Sequence, residues 1–339
     1  MTAVLPALTD TRELVLPALR AAVNRLDDRT RLVAAYHLGW CDEHGVPIEA
    51  NGGKAVRPAL ALLAAEAAGG PRESAVPGAV AVELVHNFSL VHDDLMDRDL
   101  ERRHRATVWA LWGDATAVLA GDAMLSLAHE VLADSRSPFL AEASAVLATA
   151  TRELIRGQVQ DLAFERRDDV GLTECVDMAS AKTGALLGAS AAIGAVLAGA
   201  DTTTVRGLAT YGEQVGLAFQ LVDDLLGIWG RPEVTGKPVA SDLRSRKKTL
   251  PITWAIQNGG DDGTDLALWL RRDAALEPDD HELRKVAGLV ERAGGRTWAR
   301  DEAWRRVTRA AEALAPLRLR DDCRRRLLDL ATFVVERDA

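Results

Sequence analysis

Residues 89–105, Ser-Leu-Val-His-Asp-Asp-Leu-Met-Asp-Arg-Asp-Leu-Glu-Arg-Arg-His-Arg, carry an apolar run into a group of carboxylates and then into a group of arginines. Asp93 and Asp97 are four residues apart, so on a helix they lie on one face, one turn apart, with Asp94 beside them. A carboxylate cluster at the end of an apolar segment is costly unless a cation neutralises it. The stretch therefore predicts a helix that ends at a cation-binding site.

The composition of the chain favours helices. Its 339 residues are 48% hydrophobic but only 4% aromatic, and Val and Ile rarely alternate with polar residues. The net charge of -9 argues against nucleic acid as the main partner, because binding a phosphate backbone requires a broad basic face. Since no linker interrupts the pattern, we expect one all-α domain over residues 1–339, with C-terminal helices at 264–337.

The cysteines and the apolar segments indicate a cytoplasmic protein without a membrane span. Cys41, Cys175 and Cys323 are far apart and show no metal-binding or redox spacing, which is typical of a reduced compartment. Charged residues and a proline interrupt residues 1–20 where a signal peptide would be apolar. Residues 184–200 carry no charge but are mostly Ala and Gly, which predicts a buried, closely packed helix.

Glycine and proline positions divide the chain into helical segments. The first predicted helix is at about 58–68, and Pro77-Gly78 precedes a second one that carries His86, Asp93 and Asp97. Further helices are predicted from Gly113-Asp114 to 132 and at 138–164, 172–199, 203–228, 250–258, 264–273, 280–293 and 297–337, the last broken near Pro316. Residues 230–241 form the long Gly- and Pro-bearing loop of the core, and loops of that size often cover a site.

A second acidic pair echoes the first. Residues 221–225, Leu-Val-Asp-Asp-Leu, resemble residues 90–95, Leu-Val-His-Asp-Asp-Leu, and Gln220 lies three residues before Asp223. Hard oxygen ligands at this spacing suit magnesium, which proteins bind through one or two carboxylates together with substrate phosphates. We therefore expect the two clusters to face one another around bound metal ions.

The charge balance indicates the anion that accompanies those ions. A pair of like charges ~4 Å apart costs about 4 kcal/mol at an effective dielectric constant of 20, so the aspartates require cations. Basic residues nevertheless follow each cluster: Arg102, Arg103, Lys182, Lys237 and Lys247. Metals and basic side chains can share a site only if an anion bridges them, and a polyphosphate group does so.

With these motifs together, the chain resembles the trans-isoprenyl diphosphate synthase (polyprenyl synthetase) family over about residues 50–255, with weaker likeness to its end. The first aspartate motif of that family, with its arginine pair, is matched by Asp93, Asp94, Asp97, Arg102 and Arg103. Its other motifs are matched in the same order by residues 52–58, 83–86, Lys182-Thr183, 219–224, 236–238 and Lys247. Several motifs in order are far more specific than one acidic motif alone.

The resemblance implies an isoprenoid synthase fold, an all-α orthogonal helical bundle around a deep central cavity, in a homodimer. It also implies a reaction that joins an allylic diphosphate to isopentenyl diphosphate, with three magnesium ions holding the allylic diphosphate between the aspartate clusters. The C–O bond ionises, the double bond of isopentenyl diphosphate attacks the allylic cation, and a proton is lost. Metals and lysines stabilise the leaving group, and an apolar wall keeps water from the cation.

The resemblance assigns roles to particular residues. The metal ligands would be Asp93, Asp94, Asp97, Asp223 and Asp224, with Lys182 and Lys237 also catalytic. The isopentenyl diphosphate would be bound by Lys54, Arg57, His86 and Arg103. The allylic diphosphate would be bound by Arg102, Lys182, Thr183, Gln220, Lys237 and Lys247.

Three positions depart from the family pattern. Ala55 stands where the family usually has Arg, and His104 follows the arginine pair where Gly is usual. Gly227 stands where the second aspartate motif usually has its last Asp, one turn after Asp223. The second cluster is therefore expected to have fewer metal ligands than the first.

The product chain grows away from the diphosphate, so residues one turn before the first aspartates should form the floor of its cavity. The helical wheel places Ser89 nearest that face, whereas the resemblance stresses Phe88, five residues before Asp93. One aromatic residue there resembles the archaeal-type geranylgeranyl diphosphate synthases. The expected product is therefore C20, with C15 as the runner-up, and replacing Phe88 by Ala should lengthen it.

Two other readings remain open from the sequence. A class I terpene cyclase also ionises a diphosphate, but it needs one diphosphate site, and its usual Asn-Asp-x-x-Ser-x-x-x-Glu motif is absent. A non-catalytic subunit of an active synthase would explain Gly227 and Ala55, although it would have no need of the retained lysines.

Overall fold

The computed structural model describes residues 4–48, 55–230, 240–272 and 278–336, and these residues are almost entirely helical. The expected all-α fold class is confirmed. The helices are α1 Val4–Val23, α2 Asp28–His37, α3 Val56–Ala67, α4 Val76–Met96, α5 Val108–Trp112, α6 Asp114–Asp134, α7 Leu140–Glu165, α8 Leu172–Ala179, α9 Ala185–Leu197, α10 Thr202–Trp229, α11 Ser241–Arg244, α12 Leu250–Asn258, α13 Gly260–Leu270, α14 Asp280–Arg292, α15 Gly295–Leu314 and α16 Asp321–Val335.

Helix α4 is the apolar segment that brings the first acidic cluster into place. Pro77 lies in its first turn, where the missing backbone N–H costs no hydrogen bond. Most of its residues are buried, and it packs against α3 and α6. It ends at Met96, and Arg98 then takes a left-handed conformation with φ 57°. The carboxylates thus lie at the C-terminal end of a helix that packing holds in place.

A short β-hairpin, which was not predicted from the sequence, follows α4. Strand β1 (Glu101–Arg102) pairs antiparallel with β2 (Arg105–Ala106), and Glu101 lies opposite Ala106. Strands of two residues are too short to show an alternating pattern. The arginine pair is therefore presented by a tight turn.

Most predicted helices are found close to their predicted bounds. Helices α1 and α2 were not predicted. Among the predicted helices, the main difference is the segment at 172–199, which a π-helical turn at Ser180–Gly184 divides into α8 and α9. Pro77-Gly78 lies inside the first turn of α4, because a 3₁₀ turn at Arg72–Ala75 precedes that helix. The expected break near Pro316 is confirmed between α15 and α16.

The chain divides into two compact units. Unit 1 comprises Met1–Thr151, Leu186–Gly212 and Ala313–Leu330, and unit 2 comprises Arg152–Ala185, Glu213–Glu312 and Ala331–Ala339. Each has its own buried apolar residues, such as Leu60 and Leu84 in unit 1 and Ile252 and Leu266 in unit 2. This division does not test the expectation of a single domain, which stays a prediction.

Three helical segments in the described part of the chain are long and apolar enough to cross a membrane, judged by length and composition alone. They are Arg72–Met96, Asp114–Asp134 and Leu172–Leu197, and 67%, 39% and 83% of their apolar windows are buried in the protein. Residues 186–197 of α9 are all buried, which confirms the expected buried helix within 184–200. Helix α6 differs from the other two because most of its apolar window is not buried within the protein.

Candidate active site

The first acidic cluster lies at the C-terminal end of α4, in unit 1. Asp94 is only 1% exposed, and its Oδ1 accepts a hydrogen bond of 2.7 Å from Arg102 Nε. Its Oδ2 is buried and has no hydrogen-bond partner among the described residues. Burial raises the pKa of Asp94 to about 6, although Arg102 opposes the shift. Asp97 caps the helix, with its N–H donating to Asp93 O, so these two acids lie one turn apart as predicted.

A group of basic residues, half-buried at Arg57 and His86 and exposed at Arg103, lies near this cluster, also in unit 1. Burial lowers the pKa of Arg57 to about 10, while the charge of Glu83 raises it and that of Arg103 lowers it. Burial also lowers the pKa of His86 well below its usual value, and Arg57 and Arg103 add to the shift. The structure therefore brings together Arg57, His86 and Arg103, three of the residues predicted to bind one diphosphate.

Two polar residues of α4 support this group. Burial raises the pKa of the Glu83 carboxyl, and the charge of Arg57 opposes that shift. The amide of Asn87 donates to Glu83 O at 2.8 Å and to Glu83 Oε1 at 3.2 Å. These bonds fix the position of the acid that partly offsets the guanidinium groups.

His37 belongs to the same group, and the sequence did not single it out. Its Nε2 is buried without a hydrogen-bond partner among the described residues. Burial lowers its pKa to about 3, and the charges of Arg102, Arg103 and Arg105 contribute. A lone histidine on α2 gives no sequence signal, because its role depends on the tertiary contact with residues far along the chain.

The hairpin that carries the arginine pair is anchored to α2 and to the loop after it. Arg105 Nη1 donates to Tyr36 O at 2.8 Å, and Nη2 donates to Cys41 O at 2.7 Å. The Tyr36 hydroxyl donates to Ala106 O at 2.7 Å. Arg103 and His104 form the turn with φ of 53° and 60°, a region that glycine adopts at the least cost. The departure at His104 is therefore a strained position, and the anchors hold it.

The second acidic cluster lies on α10 in unit 2. Asp223 is exposed, whereas Asp224 is only 4% exposed. Asp224 accepts hydrogen bonds from Gln220 Nε2 at 2.7 Å and from the backbone N–H of Leu250 at 2.9 Å. Burial raises the pKa of Asp224 well above its usual value, and the nearby charge of Asp242 adds to the shift.

A chain of hydrogen bonds joins the predicted Lys-Thr pair to this cluster. Thr183 Oγ1 donates to Gln220 Oε1 at 2.7 Å, and Gln220 in turn donates to Asp224. Lys182 Nζ forms an ion pair with Asp161 Oδ2 at 2.6 Å. Thr183, Gln220 and Asp224 thus come together as predicted, and the π-helical turn at Ser180–Gly184 presents the first of them. Such turns are frequent at functional sites.

Asp161 and Gln158 were missed by sequence reasoning, although α7 carries a signal for them. A Cβ atom on Gly157 would lie 2.4 Å from Lys182 N, so only glycine allows α7 to approach the π-helical turn this closely. Asp161 lies one turn after Gly157, on the same face. Gln158 is 5% exposed, and its side-chain amide has no partner among the described residues. The sequence signal was Gly157 itself, a glycine in the middle of a long helix and one turn before an acid, which indicates a close contact with another segment.

The lysines after the long loop differ from one another. The N–H of Lys247 donates to Asp242 O at 2.9 Å. Lys248 Nζ donates to Phe164 O at 2.8 Å, near the end of α7, where carbonyl groups lack helical partners. Lys248 is therefore a structural residue. The predicted role of Lys247 in binding a diphosphate stays a prediction.

Two further predicted residues lie on α4. Phe88 is 4% exposed, and its ring packs edge-on against that of His92 with centroids 5.5 Å apart. Ser89 is 7% exposed and donates to His86 O at 2.8 Å. Their predicted part in limiting the product chain stays a prediction.

Some predictions concern other parts of the chain. Lys54, Lys237, Gly52, Gly53, Gly236 and Pro238 lie outside the described residues. Ala55, which is described, has a left-handed φ of 48° just before α3. Because the first cluster belongs to unit 1 and the second to unit 2, the expectation that they face one another stays a prediction.

A third group of possible ligands lies apart from these motifs in unit 1. Ligand atoms of Glu66, Asp322 and Cys323 lie within 4.8 Å of one another. Arg326 Nη1 donates to Glu66 Oε2 at 3.0 Å, and Arg320 Nη2 donates to Asp322 Oδ2 at 3.2 Å. These guanidinium groups already neutralise the acids, so the group is an ion-pair network that joins α16 to α3. All three cysteines of the chain are free thiols.

Known proteins are similar to this chain in both sequence and fold. The model of the Polyprenyl synthetase family matches residues 40–285. The chain is 59% identical over 336 residues to the (2E,6E)-farnesyl diphosphate synthase of Mycobacterium bovis, covering 99% of this chain and 94% of that protein. It is 41% identical over 299 residues to the geranylgeranyl diphosphate synthase of Mycobacterium tuberculosis, covering 88% and 85%.

A solved structure gives the same result at the level of the fold. The polyprenyl synthetase from Streptomyces coelicolor has a TM-score of 0.94 and 51% sequence identity to this chain, covering 98% of this chain and 99% of that one. The family model alone spans well over half of the 339 residues. This chain belongs to the polyprenyl synthetase family and is a short-chain trans-isoprenyl diphosphate synthase, a prenyl transferase.

Proposed function

We propose that this prenyl transferase condenses an allylic diphosphate with isopentenyl diphosphate and releases farnesyl diphosphate, a C15 product. The observation that carries the proposed acceptor site is the group of Arg57, His86 and Arg103 in unit 1, in which desolvation lowers the pKa of each residue. Guanidinium groups that are partly desolvated and only partly offset by the carboxyl groups of Glu83 and Asp94 favour an anionic ligand. The identity of 59% with a farnesyl diphosphate synthase supports C15 over the C20 product that the sequence first suggested.

The acidic residues fit a divalent metal ion, which we propose to be magnesium. Asp94 Oδ2 is a buried carboxylate oxygen without a partner among the described residues, and a cation would satisfy it. Carboxylate oxygens are the ligands that Mg²⁺ prefers. We assign Asp93, Asp94 and Asp97 in unit 1, and Asp223 and Asp224 in unit 2, to hold three ions. When bound, the ions would stabilise the negative charge that develops on the departing diphosphate.

Other residues of the chain would bind the two substrates and orient the aspartates. Arg57, His86, Arg103 and Lys54 would bind isopentenyl diphosphate. Arg102 would orient Asp94, and Thr183 and Gln220 would orient Asp224 through the hydrogen bonds already described. Lys182, Lys237 and Lys247 would bind the allylic diphosphate, with Asp161 holding Lys182 in place. Fixed positions for both substrates lower the entropic cost of bringing their carbons together.

The bond changes balance without a further reactant. The C–O bond of the allylic diphosphate breaks, and its electron pair leaves with the diphosphate. The double bond of isopentenyl diphosphate supplies the electron pair of the new C–C bond. A proton then leaves the adjacent carbon for the released diphosphate, which restores a double bond. One diphosphate leaves per condensation.

Sizing the products of the purified protein tests this proposal. The protein would be incubated with Mg²⁺, isopentenyl diphosphate, and either dimethylallyl, geranyl or farnesyl diphosphate. We expect the first two primers to give a C15 product and farnesyl diphosphate to remain unextended. A C20 product would restore the sequence-based expectation. The absence of any condensation would contradict the assigned reaction, and a cyclic hydrocarbon would indicate a terpene cyclase.

Replacing Phe88 tests what limits the product. Phe88 is buried five residues before Asp93, so its truncation to Ala should open space along α4 and add at least one C5 unit. The measurement is the chain length of the products. Phe333→Ala, in the part of α16 that belongs to unit 2, is the aromatic control and should leave the length unchanged. An unchanged length in Phe88→Ala would show that another residue forms the floor.

We also propose that the protein is a homodimer and that it is cytosolic. Val118 and Leu119 on α6 are 41% and 65% exposed, and most of the apolar window of this helix is not buried within the chain. A second copy packed on this face would remove those side chains from water. Light scattering during gel filtration should give twice the mass of 36.4 kDa. A monomer at micromolar concentration would contradict this proposal.

A further inference from the structure

The space beside Gly227 is occupied by a carboxylate from another part of unit 2. A Cβ atom on Gly227 would lie 2.1 Å from Asp242 Oδ2 and 2.4 Å from Asp242 Cγ. Atoms cannot approach this closely, so the side chain of Asp242 stands where a side chain at position 227 would begin. Position 227 is also where the second aspartate motif departs from the family pattern by having no acid.

The position of this carboxylate relative to the second cluster follows from helical geometry. Gly227 is four residues after Asp223 on α10, so a group above Gly227 lies one turn along the same face. Asp242 therefore adds a carboxylate to the part of the cluster from which the sequence pattern removes one.

The backbone holds Asp242 in this place. Its helix, α11, begins after Ala240, which has a left-handed φ of 54°. The next residue, Leu243, is fully buried in the apolar core of unit 2. The N–H of Lys247 donates to Asp242 O at 2.9 Å. A side chain fixed by a buried neighbour and by its own backbone can serve as a ligand at little entropic cost.

We propose that Asp242 is the third carboxylate of the second metal cluster and that it replaces the acid missing at position 227. The inference rests on the proposed metal-dependent function, and it assigns to this chain a ligand that comes from the segment after the long loop rather than from α10. Gly227 is then part of the same arrangement, because any larger residue would displace the carboxylate. The departure at Gly227 does not leave the cluster short of oxygen ligands.

Calorimetric titration of the full chain with Mg²⁺, in the presence of inorganic diphosphate, tests the assignment without relying on turnover. Asp242→Asn keeps the shape of the side chain and removes its charge. We expect this variant to bind Mg²⁺ about 10- to 100-fold more weakly, the range found when groups that support a metal site are removed. Asp301→Asn, which removes one exposed acid of α15 in the same unit, is the matched control and should bind as the wild type does.

A transplant of the carboxylate is the more specific test. Gly227→Asp alone should disturb the segment around Asp242, because both side chains would occupy one space. The double variant Gly227→Asp/Asp242→Gly relieves that clash and returns the acid to α10. We expect it to recover most of the Mg²⁺ affinity that Asp242→Asn loses, with a melting temperature near that of the wild type.

The outcomes separate the two proposals. Wild-type affinity in Asp242→Asn would overturn the assignment of Asp242 and leave the metal-dependent function standing. Weak binding in Asp242→Asn without recovery in a folded double variant would also overturn the replacement of position 227 by Asp242. No Mg²⁺ binding by the wild type with diphosphate present would overturn both proposals, whereas failure of the product assay with intact Mg²⁺ binding would overturn the proposed reaction alone.

Discussion

Asp94 and Asp224 are each the second aspartate of an Asp-Asp pair, and both are almost completely buried, but their surroundings differ. Asp94 accepts a hydrogen bond from the guanidinium group of Arg102, whereas Asp224 accepts from the neutral amide of Gln220 and the backbone of Leu250. Burial raises both pKa values, to about 6 for Asp94 and well above the usual value for Asp224.

The difference shows two ways of keeping a carboxylate inside a protein. In unit 1 a permanent cation beside the acid opposes the effect of burial on its pKa. In unit 2 a second acid, Asp242, adds to the effect of burial. The second cluster therefore gains more from a bound cation than the first. The basic group of unit 1, by contrast, is better suited to an anion.

The largest expected effect comes from Asp224→Asn. This variant keeps the shape of the side chain and an acceptor for the N–H of Leu250, but it cannot carry a negative charge. If the cluster works by holding cations, prenyl transfer should fall by about 100- to 1000-fold, as when a fixed group that stabilises transition-state charge is lost. The rate of product formation at saturating Mg²⁺ is the measurement.

Glu213→Gln is the control for Asp224→Asn, since it removes an acid from the exposed surface of the same helix. It should retain nearly full activity. Equal rates for Asp224→Asn and the wild type would mean that prenyl transfer does not need the negative charge of Asp224. The difference between the two clusters would then have no effect on activity.

Thr183→Val tests the hydrogen bonds that join Thr183, Gln220 and Asp224, through the stability of the folded protein. Thr183 is 8% exposed, and its hydroxyl is the donor to Gln220 Oε1. Valine has nearly the same shape but leaves that oxygen without its donor, which should lower the free energy of unfolding by about 1–3 kcal/mol. Denaturant titration measures the change. Thr183→Ser retains the hydroxyl and should lose much less; an equal loss in both variants would assign the effect to packing instead.

The sequence predicted the elements that carry these residues better than it predicted their surroundings. The period of α4 placed Asp93 and Asp97 one turn apart, and the echo at 221–225 identified Asp224, because both signals are local to one helix. The π-helical turn at Ser180–Gly184 was missed because it depends on the close approach of α7 at Gly157.

The sequence also could not predict contacts between residues that are far apart along the chain. His37 joins the basic group through residues some 50 to 70 positions away, and nothing in the pattern of α2 indicates this. Asp242 occupies the space beside Gly227, but a glycine in a motif shows only that a side chain is missing. Tertiary structure alone determines what fills such a space.

His37→Asn tests the basic group of unit 1 through the pH dependence of stability. The pKa of His37 is about 3 in the folded protein, against about 6.5 for a histidine in the unfolded chain. Between these values the unfolded chain binds the proton and the folded protein does not, so the folded state loses stability as the pH falls below 6.5. Asn cannot be protonated, so the variant should lose about 1–2 kcal/mol less than the wild type between pH 7 and 5.

Urea midpoints measured from pH 7 to 5 provide this comparison. His44→Asn is the control, because the side chain of His44 is 78% exposed. His86 also has a lowered pKa, so the acid sensitivity of the variant should decrease without disappearing. Parallel curves for the wild type and His37→Asn would show that this histidine is not held neutral by its surroundings.

The smallest expected effect concerns the turn that presents the arginine pair. His104 has a φ of 60°, which costs a non-glycine residue roughly 1–2 kcal/mol, although the more flexible glycine also stabilises the unfolded chain. His104→Gly should therefore raise the free energy of unfolding by about 1 kcal/mol, whereas His104→Ala keeps the unfavourable φ and should give no such gain. Thermal unfolding of the two variants measures the difference. If the glycine variant is no more stable than the alanine variant, the anchors at Arg105 and Tyr36, rather than the conformation of His104, determine the stability of the hairpin in unit 1.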